Sequence, residues 1–143
     1  MIVWIWQNIY YFYVKKNKIE INKTKISKLL YIIYGGFLAL YKRSILTERP
    51  KYFPYGPVFP KVYKNYDKLL PMQIVFSNDL KDIIDNALDT YGNMTAGQLT
   101  TLTHQAGTPW DIMNKNGAKF NEPLDDNDIY NYFNNNMMED EKI

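Results

Sequence analysis

Four prolines fall within eleven residues, Pro50, Pro54, Pro57 and Pro60, in a chain whose patterning is otherwise helical. Proline locks φ, removes a backbone donor and biases the residue before it to extended geometry, so no continuous helix crosses Ser44 to Lys61. A solvated linker would be polar, yet Tyr52, Phe53, Tyr55, Val58 and Phe59 are interleaved with these prolines. The segment is therefore expected to pack on the helices around it, with room for a short β-ribbon.

The flanking periodicity is that of helices. Over Thr24 to Arg43, apolar residues recur at Ile26, Leu29, Leu30, Ile33, Tyr34, Phe37, Leu38 and Tyr41, offsets of three and four that make one apolar stripe. Asn22 or Thr24 suits its start, and Lys42 and Arg43 suit the negative end of its dipole. Gly35 and Gly36 lie mid-helix at a cost of about 1 kcal/mol each relative to Ala, which predicts close approach of another backbone. Pro60 opens a further helix carrying Val62, Tyr63 and Tyr66. Asn78 starts one with Leu80, Ile83, Ile84, Ala87, Leu88 and Tyr91 on a face, closed by Gly92. Thr95 with Gln98 reads as a capping box, Thr108-Pro109 with Asp111 as a cap followed by proline, and Asp125 with Asp128 as the start of the last helix, where Ile129, Tyr132, Phe133 and Met137 share a side. The fold class expected is mainly α: a single compact helical domain with one extended segment rich in proline and aromatics.

Composition narrows the chemistry. At 143 residues one domain can bury about 68–70% of its unfolded surface. There is no cysteine, hence no disulfide, thiolate nucleophile or cysteine zinc site. His104 is the one histidine, which excludes a multi-histidine metal centre and reads as a structural hydrogen-bonding group. Gly35-Gly36 inside a helix is no phosphate loop, and the acidic pairs sit where caps need them. No catalytic, cofactor-binding or metal-ligating residue is assigned, and a cytoplasmic, non-enzymatic protein is expected. Met1 to Val14 is apolar but falls short of the ~20 residues of a membrane span and lacks the basic start of a signal peptide. It reads as a buried first helix, with no membrane partner. The net charge of +2 conceals a basic half (residues 1–70, +10) and an acidic half (71–143, −8). Mutual attraction of the halves is favoured over a nucleic-acid face, since the lysines are dispersed.

Two clusters exceed what helix construction requires. One is Tyr55-Gly56-Pro57-Val58 with Pro60, Val62 and Tyr63; the other is Leu102-Thr103-His104 with Thr108, Pro109 and Trp110. Taken structurally, Gly56 adopts a backbone angle closed to other residues and Trp110 plugs the core. Together with Lys28-Leu29-Leu30-Tyr31 and the run Phe53 to Tyr63, the ordered motifs resemble the Panacea-domain family of phage-associated, GepA-like and SocA-like antitoxins, from about Asn22 to Phe133. The family usually has Trp where Phe53 stands, and here three residues separate Gln105 from Pro109-Trp110. Some relatives carry a separate DNA-binding domain, for which few residues remain here.

The resemblance implies a helical protein encoded beside a toxin gene, neutralising that toxin by direct binding. The toxins of the family are diverse, among them translation inhibitors, alarmone synthetase-like enzymes and membrane-active peptides. The organisation expected is an N-terminal helix over 1–21, an antitoxin domain over 22–133 and a frayed polar tail over 134–143. The candidate partner-binding residues are Tyr52, Phe53, Tyr55, Gly56, Pro57, Val58, Tyr63, His104 and Trp110, where prolines restrain the unbound loop and tyrosines offer amphipathic contact area. Two alternatives stand beside it. One is a proteolytic adaptor that hands the toxin to a protease. The other is a nucleic-acid-binding regulator using Lys15, Lys16, Lys18, Lys23, Lys25 and Lys28, which ranks lower.

Overall fold

The structure, a computed structural model, describes Ile9, Tyr13 and residues 22–46, 48–65 and 78–137. In chain order these form α1 (Lys23–Tyr41), a two-stranded ribbon of β1 (Lys51–Phe53) and β2 (Gly56–Val58), α2 (Pro60–Asn65), α3 (Asn78–Tyr91), α4 (Ala96–His104), α5 (Pro109–Lys115) and α6 (Asp126–Tyr132), which widens into a π-helical turn, Phe133–Met137. Apart from Ile9 and Tyr13, both buried, the helix expected over 1–21 lies outside the described residues, as do Tyr66 and the tail beyond Met137. Among the described residues no helix is long and apolar enough to cross a membrane.

The helix boundaries follow local chemistry. The Asn22 side chain accepts from the Lys25 amide at 2.8 Å and so caps α1, while Lys42 ends it in the left-handed conformation at φ 57°. Thr95 and Gln98 form the full capping box of α4. Thr108 caps α5 with Pro109 in its first turn, and Asp125 caps α6. Each cap contributes about 1 kcal/mol. Each fully buried Leu or Ile contributes about 1.5–3 kcal/mol, so packing decides the arrangement.

That packing centres on α1. A one-sided stripe was expected, but every residue from Lys25 to Ala39 is buried, because α3, α4, α6, the π-helical turn and the ribbon surround the helix. Leu29, Leu30, Ile33 and Tyr34 are closed off completely, with Ile84, Leu88, Leu99, Leu124, Ile129 and Phe133 around them. The mid-helix glycine has a different partner from the backbone that was expected. A Cβ built on Gly35 would sit 2.2–2.6 Å from three atoms of the Phe133 ring, so the glycine clears space for a side chain entering from the π-helical turn. Phe133 also meets Tyr31 edge-on at 5.6 Å.

The basic and acidic halves do not meet through ion pairs among the described residues. Lys81–Asp85 and Lys115–Asp111 are both i,i+4 pairs inside the acidic half. The halves are joined instead by the Tyr34 hydroxyl donating to Asp126 at 2.8 Å and by Arg49 donating to the Leu124 carbonyl. Burial, with the Asp126 charge beside it, pushes the Tyr34 phenol up to about 12. Two lysines of the suggested nucleic-acid face, Lys25 and Lys28, are buried and point to protein: Lys25 donates to the Tyr13 hydroxyl and Lys28 to the Pro57 carbonyl at 3.0 Å. Neither presents an exposed charge to a nucleic-acid backbone. Lys23 is exposed and rests over the Tyr63 ring; Lys15, Lys16 and Lys18 lie outside the described residues.

Candidate partner-binding site

The ribbon is short because its sequence permits little else. Strands β1 and β2 pair antiparallel in the register Lys51↔Val58, Tyr52↔Pro57 and Phe53↔Gly56. Between them Pro54 occupies the second and Gly56 the fourth position of a tight turn, an arrangement that suits type I geometry. Gly56 has φ +113°, a conformation that side chains rarely tolerate. A Cβ there would also lie 2.9 Å from Lys28 Nζ, 3.0 Å from Thr103 Oγ1 and 3.3 Å from His104 Nε2. Glycine is required for both reasons.

Both edges of the ribbon are occupied. The Tyr52 amide donates to the Glu122 carbonyl at 2.7 Å, and its carbonyl accepts from the Asn121 amide at 2.8 Å. Leu124 donates to Pro50, and Lys51 bridges to Pro123, so residues 121–124 run along the outside of β1. Because Tyr52 turns its backbone groups away from β2, its opposite number Pro57 must turn its own outward as well. Pro57 has no N–H to offer, and its carbonyl is taken by Lys28.

A stack of rings clamps the ribbon to α4 and α5. Trp110 lies between His104, at 4.1 Å between centroids, and Tyr52, at 5.4 Å, with interplanar angles of 28° and 16°. Its indole N–H donates to the Phe53 carbonyl at 2.7 Å, and the Tyr52 hydroxyl donates to Asn114. Trp110 is only half-buried and stands outside the fully closed core. The expected core plug is thus a clamp on the ribbon, placed there because the Thr108 cap and Pro109 start α5 beside it. Burial, then the Lys28 ammonium, hold His104 below the usual histidine range, while a hydrogen bond with the Tyr55 backbone acts the other way. The balance favours the neutral ring, whose Nε2 is buried without a hydrogen-bond partner.

Beside the clamp, a cavity of about 300 Å³ opens between α1, the ribbon, α2 and α4. Ser27 and Lys28 of α1 line it together with Phe53, Tyr55, Val58 and Tyr63, and Thr24 and Thr100 contribute hydroxyls. Of the sequence candidates, Phe53, Tyr55, Val58 and Tyr63 thus gather at the cavity, Tyr52, His104 and Trp110 form the clamp, and Gly56 and Pro57 join the two. Sequence reasoning left Ser27 and Lys28 out of this group. A serine and a lysine set between Ile26 and Leu29 of the apolar stripe were the available signal. It also missed Phe120, a lone aromatic in a polar loop, whose ring packs on Phe53 at 4.6 Å and is 66% exposed.

Tyr55, at the turn, is 76% exposed, so with Phe120 two large aromatic rings stand in solvent at a tethered ribbon. Among the described residues no group of three or more His, Asp and Glu is placed to hold a metal ion.

The family model for the SocA-like antitoxins, the Panacea domain, matches residues 26–111, from α1 through the ribbon to the first turn of α5. A search of curated proteins finds similarity to the antitoxin SocA of Caulobacter vibrioides (strain NA1000 / CB15N), 30% identical over 114 residues that cover 66% of this chain and 61% of the relative. The alignment therefore spans less than two thirds of that relative's length. No solved structure matches. With a family match that takes in the central helix, the clamped ribbon and the cavity between them, this chain belongs to the SocA-like antitoxin family with a Panacea domain.

Proposed function

We propose that the protein neutralises a toxin encoded beside its own gene by binding it directly, through the face formed by the ribbon turn and the neighbouring loop. The observation that carries this reading is the exposure of Tyr55 and Phe120 on a ribbon that Trp110, Lys28 and residues 121–124 hold in place. Exposed apolar side chains that are grouped, unlike ones scattered singly, mark interaction surfaces, and Phe53 links these two rings, packing on Phe120 and lining a cavity with Tyr55. A mount fixed in advance also lowers the ordering cost of association. On this reading residues 22–133 form the binding unit, no step of catalysis is required, and the protein acts in the cytoplasm, where its toxin is made.

The test is co-expression. The neighbouring gene alone should arrest growth, and adding this gene should restore it while the two proteins co-purify as a stable complex. A harmless neighbour, with no encoded protein co-purifying, would overturn the reading. Restored growth with disappearance of the toxin, and no complex, would replace direct neutralisation by delivery to a protease.

A further inference from the structure

The cavity beneath the ribbon contains more polar capacity than the fold uses. Lys28 is 1% exposed, and its ammonium has three N–H groups. One donates to the Pro57 carbonyl; no carboxylate lies against it among the described residues. Ser27, also 1% exposed, has its hydroxyl buried without a partner, although a helical serine ordinarily bonds back to the preceding turn. Both residues line the same cavity, whose other walls are Phe53, Tyr55, Val58 and Tyr63, with Thr24 and Thr100 also in the lining. A buried cation without a counter-charge among the described residues, a spare hydroxyl and largely apolar walls describe a receptor for an anion on an apolar stem.

We propose that this cavity receives the C-terminal residue of a partner polypeptide, Lys28 and Ser27 taking its carboxylate and Phe53, Val58 and Tyr63 its apolar side chain. The proposal rests on the direct-binding reading above and specifies what the partner brings. A volume of about 300 Å³ is at the small end for ligand clefts and fits one residue better than a continuing chain. In a terminal residue the carboxylate and the apolar side chain diverge from one carbon, so both halves of the cavity fill. An aspartate or glutamate side chain would fill the polar end alone. The exposed rings of Tyr55, in the cavity lining, and of Phe120, packed on Phe53, favour a polypeptide over a free carboxylic acid, which would leave them uncovered. Burial lowers the Lys28 ammonium to about 8, so at neutral pH it still carries the proton with which it would pair a carboxylate.

The experiment titrates the full chain with acetyl-Ala-Leu-Leu as the free acid, the same tripeptide as its C-terminal amide, and 4-methylpentanoate, read by calorimetry and amide chemical shifts. The free acid should bind with shifts centred on Ser27, Lys28 and Val58, at least about tenfold tighter than the amide, because hydrogen bonds to a charged group are lost. Ser27→Ala should weaken the acid several-fold, and Lys28→Met should abolish the difference between acid and amide. If Lys28→Met does not fold, the acid–amide comparison on the unaltered protein and Ser27→Ala decide the matter. Equal affinities for acid and amide, shifts elsewhere, or no binding of either would overturn the proposal. So would 4-methylpentanoate binding as tightly as the tripeptide acid, which would make this a small-molecule site. Failure of both tripeptides while the co-expressed toxin is still neutralised would remove this subsite and leave the direct-binding reading intact.

Discussion

At Gly35, helix propensity and packing pull in opposite directions. Replacing a mid-helix glycine by alanine ordinarily gains about 1 kcal/mol. Here the added methyl would fall 2.2 Å from Phe133 Cε2, and the ring is fully enclosed. Overpacking costs of about 1–3 kcal/mol are common in such sites, and this overlap is severe. Gly35→Ala is therefore expected to destabilise the protein, with a lower midpoint in denaturant. A rise would show that Phe133 has room to move. A second prediction concerns Lys28, whose folded value of about 8 lies below the ordinary 10.5. Below about pH 8 both states carry the proton. Between there and the unfolded value the unfolded chain holds a proton that the folded protein has released, so stability rises with pH. Lys25, also lowered by burial, acts in the same direction, whereas Tyr34 reverses the trend once unfolded phenols ionise. Thermal midpoints should climb between about pH 8 and pH 9.5, and Lys28→Met should flatten most of that climb. At this scale the sequence was partly legible. Asn22, Thr95, Thr108 and Asp125 announce their helices through local hydrogen bonding, but the environment of Lys28 depends on Pro57, twenty-nine residues away.

The ribbon is the element on which stability and recognition divide. Trp110→Phe retains a ring for the stack with His104 and Tyr52 but loses the indole bond to Phe53, which should cost about 1 kcal/mol. Trp110→Ala loses the stack as well and should cost about 3 kcal/mol, near the low end for aromatic truncation because the ring is only half-buried. Tyr55→Ala removes a ring already in solvent, so folding should move by no more than about 0.5 kcal/mol. Toxin affinity should fall by about 2 kcal/mol, roughly thirtyfold. Denaturant midpoints and binding constants measured on the three variants separate the roles; a Tyr55→Ala protein that unfolds reverses the assignment. The prolines made the ribbon foreseeable, since they forbid helix while the aromatics forbid a loose linker. The clamp was harder to see. Trp110 looks like a core residue in a one-dimensional pattern, and only the meeting of α5 with β1 shows that its ring faces the ribbon. The π-helical turn had no signal at all in the periodicity of Ile129, Tyr132 and Phe133.

For the molecule as a whole, the mainly helical class was legible because apolar spacing of three and four recurs along most of the chain. What the pattern could not convey is that α1 is enclosed on every side. A stripe records which residues are most apolar, whereas enclosure depends on how many neighbours arrive, and even Lys25, Ser27 and Lys28 are covered. The charge asymmetry was a weaker guide still, since the halves meet through Tyr34, Arg49 and apolar packing. The occupied edges of the ribbon have a wider consequence. An exposed strand edge invites a visiting chain to extend the sheet, with its main chain setting alignment. Here one side is sealed by residues 121–124, and the other presents a proline nitrogen and a carbonyl already engaged by Lys28. A visitor finds no peptide ladder to climb. Under the proposed direct binding it would be held by its side chains and its ends, so its own secondary structure and direction of travel would be left unspecified. A surface of that kind is indifferent to the architecture of what it grips, and toxins with unrelated folds could evolve toward the same few anchoring groups.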